Sequence, residues 1–431
     1  MIEKITDCLV QPLKVLIVED SLTFSGILKR RVQDTLDIES VVFASYAEAE
    51  KYLEVARCEF FAALLDLNLP DAPNGEIVDL VVSHHIPSIV FTGEMSDDLR
   101  DIMWAKRIVD YVPKDNLGNI DHVVNLVDRL RKNISTKVLV VDDSSTSRNL
   151  CRSLLEVWNF KVVEAKDGFE ALQIIQNDDN ISLVIVDHYM PGMDGLTLVK
   201  ELRRNYSKSR LPIIGLSGVG GATTSAYFLK AGANDYIHKP FLTEEFYCRV
   251  THNIENAEYI SMIKTLSDRD YLTGIYNRRS FFQYGEKLFA QQKRSGSDMV
   301  LAMIDIDHFK RCNDSFGHDV GDEVIQKVAR SLAKRFRKSD IVCRYGGEEF
   351  CILCADINLC EVQGVFDLIR EEIGQSPIYV GKKEISITIS IGLCGTQAAS
   401  LNEMISIADD MLYRAKKSGR NKVCFSGTEL N

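Results

Sequence analysis

The chain contains no apolar run approaching the ~20 residues that a membrane-spanning helix needs, and nothing at its start reads as a secretory leader. These absences predict a cytosolic protein with no membrane partner. A basic excess is also missing. Lys and Arg number 51 against 62 Asp and Glu, a net charge of -11. A general nucleic-acid binder would need a positive face for its phosphates, so no nucleic-acid partner is expected. The 11 cysteines are scattered singly, an odd number that cannot all pair, which suits a reducing compartment. Cys351 and Cys354 form a C-x-x-C, but on a strand an i, i+3 pair points to opposite faces, so buried thiols are favoured over a zinc or redox site. With 45% apolar residues and a mean hydropathy of -0.06, the 431 residues suffice for two to four folded domains.

What the chain does have is an internal repeat. "VLIVEDS" at 15–21 returns as "VLVVDDS" at 138–144. "ALLDLNLPD" (63–71) corresponds to "VIVDHYMPGMDG" (184–195), "IVFTGE" (89–94) to "IIGLSG" (213–218), and "DYVPK" (110–114) to "DYIHKP" (235–240). Thr92 precedes Lys114 by 22 residues, as Ser217 precedes Lys239. Apolar runs ending in acids read as buried parallel strands, and the amphipathic stretches between them read as helices. The alternation predicts two doubly wound α/β domains of about 120 residues each. Ligands of such sheets sit beyond the carboxyl ends of the strands. Clustered carboxylates there repel one another unless a cation is present, and hard oxygen ligands suit Mg²⁺. A lone strand-end Asp is ordinarily a helix cap; five matching residues in the same order, twice, argue otherwise.

These motifs resemble the receiver domains of two-component response regulators over 13–133 and 136–256, which implies tandem flavodoxin-like folds. The resemblance makes Asp66 and Asp187 phospho-acceptors. It makes Glu19, Asp20, Asp142 and Asp143 metal-binding acids, with the carbonyls of Asn68 and Tyr189 as further ligands. Thr92 with Lys114, and Ser217 with Lys239, would receive the phosphoryl group, and Tyr111 and Tyr236 would be the aromatics that report it. A histidine kinase or phosphotransfer protein is the implied partner. The first copy lacks the proline that follows Lys239 in the second.

From Thr243 to about Ser267 neither proline nor glycine occurs. The acids after Thr243 suit a helix start. Phe246, Val250, Ile254, Ala257, Ile260 and Ile263 form a stripe at spacings of three and four. A linker helix over 243–268 follows, packed on its own domain or forming a coiled-coil seam between two subunits. Beyond Ser267 the pattern changes to hairpins and helices, an α+β arrangement. "MVLAMIDID" (299–307) ends as a buried strand at Asp305. In "RYGGEEFCIL" (344–353) Gly346-Gly347 reads as a two-residue hairpin turn with positive φ at both glycines. An Asn amide and a carboxylate can together read a guanine edge.

The segment 267–427 resembles the GGDEF-type diguanylate cyclases, here with GGEEF. The resemblance rests on Asp270-x-Leu272-Thr273, "NRR", "DIDHFK", "ND-x-x-GH-x-x-GD", the hairpin and "A-K-x-S-G-R-N". It implies a nucleotidyl-cyclase-like fold that condenses two GTP into cyclic di-GMP and two pyrophosphates across a homodimer. Asp305, the Ile306 carbonyl and Glu348 would bind Mg²⁺ or Mn²⁺. Glu348, Lys310 and Glu349 would be catalytic, with Glu348 assisting deprotonation of the attacking hydroxyl. Asn313 and Asp322 would read guanine with His318 nearby. Gly346 and Gly347 would admit the ligand, and Lys310, Lys416 and Arg420 would meet phosphate. "RKSD" (337–340) matches the family's inhibitory product site, with Arg337 and Asp340 holding cyclic di-GMP; an ordinary solvated helix end is the alternative. A rival reading is an inert GGDEF domain that only senses nucleotide, and another is a phosphate-relay adaptor.

Overall fold

The computed structural model describes residues 13–55, 59–93, 102–103, 105–114, 117–218, 222–337, 339–380, 383–395 and 398–426. Glu94 and the expected C-terminal boundary at 427 lie outside them. The chain divides into two units, Met1–Ser261 and Met262–Asn431.

The first unit carries two five-stranded sheets. One is built from β1 (Lys14–Val18), β2 (Ser40–Phe43), β3 (Phe60–Leu65), β4 (Ser88–Thr92) and β5 (Asp110–Pro113), in the order β2-β1-β3-β4-β5. The other uses β6 (Lys137–Val141), β7 (Lys161–Ala165), β8 (Ile181–Asp187), β9 (Ile213–Ser217) and β10 (Asp235–His238), in the equivalent order β7-β6-β8-β9-β10. Every pairing is parallel. Central strands such as β3 are buried along their whole length, as helices on both faces require. The topological repeat therefore follows the sequence repeat.

The two sheets share one apolar core. Val124, Leu130, Leu154, Trp158, Phe160, Tyr247 and Val250 belong to a single buried cluster that also takes in β1 and β6. Polar contacts tie the copies together. Asn133 Nδ2 donates to the Trp158 carbonyl at 2.8 Å, and Asn159 Nδ2 donates to the Phe61 carbonyl at 2.9 Å. Arg129, 5% exposed, gives a bidentate pair of bonds to Glu258 at 2.7 and 2.9 Å. A buried guanidinium that loses its partner keeps its desolvation penalty. Glu258→Gln is thus expected to lower the stability of this unit by about 1–3 kcal/mol, read by chemical denaturation.

The helix Thr243–Asp268 spans the expected linker. Only the first half of its predicted stripe is covered: Phe246, Val250 and Ile254 are buried, whereas Ile260 and Ile263 are exposed, as is Leu266 beyond the stripe.

The second unit holds a six-stranded mixed sheet, β11-β13-β14-β12-β17-β18, and a two-stranded ribbon, β15-β16. The strands are β11 (Tyr276–Asn277), β12 (Met299–Ile306), β13 (Ile341–Gly346), β14 (Glu349–Ala355), β15 (Ile378–Val380), β16 (Lys383–Ile385), β17 (Ile389–Cys394) and β18 (Val423–Ser426). The segment 384–392 is divided between two sheets: Ile385 pairs with Ile378 in the ribbon, and Thr388 turns its hydroxyl and carbonyl to Asp307. The loop after β12 contains a helix, Phe309–Phe316, whose Phe309, Cys312 and Phe316 recur at helical spacing. The hairpin turn is Gly347-Glu348 rather than Gly346-Gly347. Gly346 pairs with Glu349 as the last residue of β13, and of the two glycines Gly347 alone has a positive φ (51°). Cys351 and Cys354 are buried free thiols in clusters on opposite faces of β14.

Candidate functional sites

The carboxyl edge of each parallel sheet gathers the repeated residues. β1 runs straight into Glu19, Asp20 and Ser21, and the Ser21 hydroxyl caps the helix Leu22–Leu36. Ser144 does the same after Asp142 and Asp143. The strand-to-helix switch thus fixes the acid pairs. Ligand atoms of Glu19, Asp20 and Asp66 lie within 4.8 Å of one another. Lys114 Nζ reaches Glu19 and Asp66, both at 2.6 Å. In the second copy Lys239 Nζ sits 2.7 Å from Asp142 and 2.6 Å from Asp187. The first site therefore combines three acids with one ammonium, a formal excess of two negative charges that suits a divalent cation. In the second, Lys239 meets Asp142 and Asp187, and Asp143 is exposed. Burial pushes the Glu19 and Asp187 carboxyls above the ordinary range, and the neighbouring lysines only partly offset it. Burial alone would lower Lys239, but its bonds to Asp142 and Asp187 outweigh that and raise it. Thr92 and Ser217 are buried at the ends of β4 and β9. The Asn68 and Tyr189 backbone N–H groups turn back onto Asp66 and Asp187.

Two residues that the motifs do not nominate join the second site. The Ser147 hydroxyl bonds Asp142 and lies 2.9 Å from Lys239, while Arg148 donates to the carbonyls of Asp142 and Asp143. The first copy has Phe24 where Ser147 stands, and its ring lies 5.3 Å from Lys114. The repeat hides this difference because the residue type changes.

In the second unit Asp305 is the penultimate residue of β12, paired with Glu349 on one side and Ser390 on the other. The Ile306 N–H meets the Glu348 carbonyl at 3.4 Å, which sets the hairpin tip beside this strand end. Lys416 Nζ holds the Asp305 carboxylate at 2.7 Å, so its ammonium is engaged by an acid here rather than standing free for phosphate. Burial nevertheless holds the Asp305 carboxyl above its ordinary value, with Glu348 and Glu349 adding repulsion against the pull of Lys416. A cation among these acids would relieve both penalties. Lys310, His318, Asp322, Gly346, Gly347 and Arg420 are exposed around the strand end and the following helices, and Asn313 is half-buried.

Asp307, two residues past Asp305, is buried and accepts bonds from Thr388, Ser390 and the Asn421 N–H. It anchors the loop bearing Arg420. Arg344 links the Asp270 carboxylate (3.2 Å) to the carbonyl of Gly347 (2.9 Å), so the entry segment and the hairpin tip share one side chain. Arg337 and Asp340 form a closed turn, Arg337 N–H to Asp340 Oδ2 at 2.9 Å. They line a cavity of about 370 Å³ with Arg269, Tyr276 and Phe336. Arg269, stacked 4.0 Å over the Tyr276 ring, belongs to no motif read from the sequence.

Residues 138–251, which carry the second sheet and its edge carboxylates, match the family model described as response regulator receiver domain. Residues 267–422 match the family model described as diguanylate cyclase, GGDEF domain. The chain is 32% identical to the response regulator PleD of Caulobacter vibrioides over 298 residues, 67% of this chain and 65% of PleD. It thus spans just under two thirds of that relative. The diguanylate cyclase DgcP of Pseudomonas aeruginosa is 39% identical over 155 residues, 36% of this chain and 23% of DgcP. A solved structure titled as a probable two-component system response regulator/GGDEF domain protein is 40% identical. It has a TM-score of 0.50 and is matched over 57% of this chain and 99% of its own.

Proposed function

We propose that the chain is a phosphorylation-regulated diguanylate cyclase that joins two GTP into cyclic di-GMP and releases two pyrophosphates. The observation that carries this reading is the buried Asp305 beside the hairpin tip, its carboxyl raised by burial and by the two hairpin glutamates. A divalent cation, Mg²⁺ or Mn²⁺, would neutralise phosphate charge there and favour the ionised hydroxyl. Asp305, the Ile306 carbonyl and Glu348 would hold it. Glu348 would take the proton from the 3′-hydroxyl, Asn313 and Asp322 would read the base, and Lys310 and Arg420 would meet the phosphates. Each 3′-oxygen attacks the α-phosphorus of the other GTP, and pyrophosphate leaves with the electron pair of the broken bond. One site supplies one GTP, so the active species is a homodimer.

The first sheet, with the same strand order and the same acids and lysine, is read as a second receiver over 13–133, preceding the one at 136–256. Phosphoryl transfer from a histidine kinase or phosphotransfer protein to Asp66 or Asp187 would bias how two subunits face each other. The exposed Ile260, Ile263 and Leu266 recur at helical spacing and supply a face for the partner helix. Incubation with GTP and Mg²⁺ tests the activity: cyclic di-GMP and pyrophosphate are expected in a 1:2 ratio, and nucleotide binding without turnover would instead indicate a sensor.

The cavity beside Arg337 and Asp340 is read as a feedback site for cyclic di-GMP. Two guanidiniums, Arg337 and Arg269, face a diester dianion, and Asp340 offers a carboxylate to a guanine edge. Arg337→Ala is expected to raise the inhibition constant for cyclic di-GMP at least about tenfold, the loss of one charge-assisted contact. An unaltered constant would remove this site from the mechanism.

A further inference from the structure

Gly321 lies in the helix His318–Arg335, buried and with an ordinary helical backbone. Alanine is the better helix former, so conformation does not explain glycine here. Packing does. A β-carbon at Gly321 would lie 1.9 Å from Asn313 Oδ1 and 3.0 Å from its Cγ. Asn313 sits on the preceding helix, Phe309–Phe316, and its Oδ1 is buried with no hydrogen-bond partner among the described residues. The amide oxygen is therefore pressed against the Gly321 backbone, where a Cα–H makes a weak contact with it. With Oδ1 so placed, the two N–H donors of the amide are left for a ligand acceptor.

We infer that Gly321 is a positioning residue for base recognition. Its missing side chain lets the Asn313 amide dock oxygen-inward and present its nitrogen to an acceptor such as O6 or N3 of guanine. The inference rests on the reading of Asn313 as a guanine contact given above. Any side chain at 321 must rotate or displace that amide, whose oxygen and Cγ are the atoms nearest the position. Phe309 Cζ, 3.2 Å from the same position, closes the other way out.

The test uses the full chain and 3′-deoxy-GTP, which binds but lacks the attacking hydroxyl. Gly321→Ala is expected to weaken its binding at least about tenfold by calorimetry, with the thermal transition of the protein retained. Asn313→Ala supplies the second arm: if Gly321 acts through Asn313, adding Gly321→Ala to Asn313→Ala costs no further affinity. Unchanged binding by Gly321→Ala, or an equal loss in the Asn313→Ala background, overturns the inference while leaving guanine recognition intact. Failure of the unaltered protein to bind 3′-deoxy-GTP overturns the reading of the site itself.

Discussion

Asp305→Asn is expected to abolish cyclic di-GMP formation while leaving the metal-free fold as stable as before or slightly more so. The loss follows if Asp305 is the proposed anionic metal ligand, about 4 kcal/mol or ~10³-fold in rate. The stability follows from linkage. Burial raises the Asp305 carboxyl in the folded state, so the native form binds its proton more tightly than the unfolded chain does. That contribution is fully present below the unfolded pKa and is lost as pH rises through the folded one. At neutral pH the ionised carboxylate is therefore a net cost, which the neutral amide removes. Loss of activity with a destabilised fold would mean that Asp305 is a structural ion-pair member. In the metal-free protein the same shift places the Asp305 titration above that of an ordinary Asp. Because Lys416 pulls the carboxyl down, Lys416→Met moves that titration further up, read by NMR of the carboxyl carbon; a titration that stays put would separate Lys416 from Asp305.

The second large effect concerns input. Asp66→Asn and Asp187→Asn together are expected to erase stimulation by an acyl-phosphate donor, a change of about tenfold or more if phosphorylation moves a mostly inactive population. Each single variant should remove one acid-labile phosphoryl group from the protein, measured by intact mass. Stimulation that survives the double variant would end the receiver reading of both sheets as inputs.

The repeat made β1, β3, β6 and β8 legible because each is a buried apolar run that leads into a carboxylate. Asp66, Asp187 and Asp305 could be placed at sheet edges for the same reason. The hairpin was visible from its glycines, yet its turn was read one residue early, since Gly-Gly composition does not disclose that Gly346 still pairs with Glu349. Contacts made across the fold left no local signal. The bridge from Arg344 to Asp270 joins residues 74 apart, and Asp307 meets Asn421 across 114 residues. The Ser147 contact was masked because the other copy carries phenylalanine at that place. Ile260 and Ile263 are exposed in a stripe whose first half is buried, a difference that the spacing of the stripe does not encode.

The core shared by the two sheets bears on how such a chain can change over evolutionary time. Two copies of a fold in tandem are ordinarily separable, free to be lost, swapped or recombined one at a time. Here Trp158 and Tyr247 of one copy share a buried cluster with Leu130 of the other, and among the described residues Arg129 is neutralised by Glu258 alone. A cut between Asn133 and Lys137 would strip apolar surface from both halves and strand a buried cation. On this packing the pair is expected to be gained or lost as one piece, with a substitution in either copy felt by the core of both.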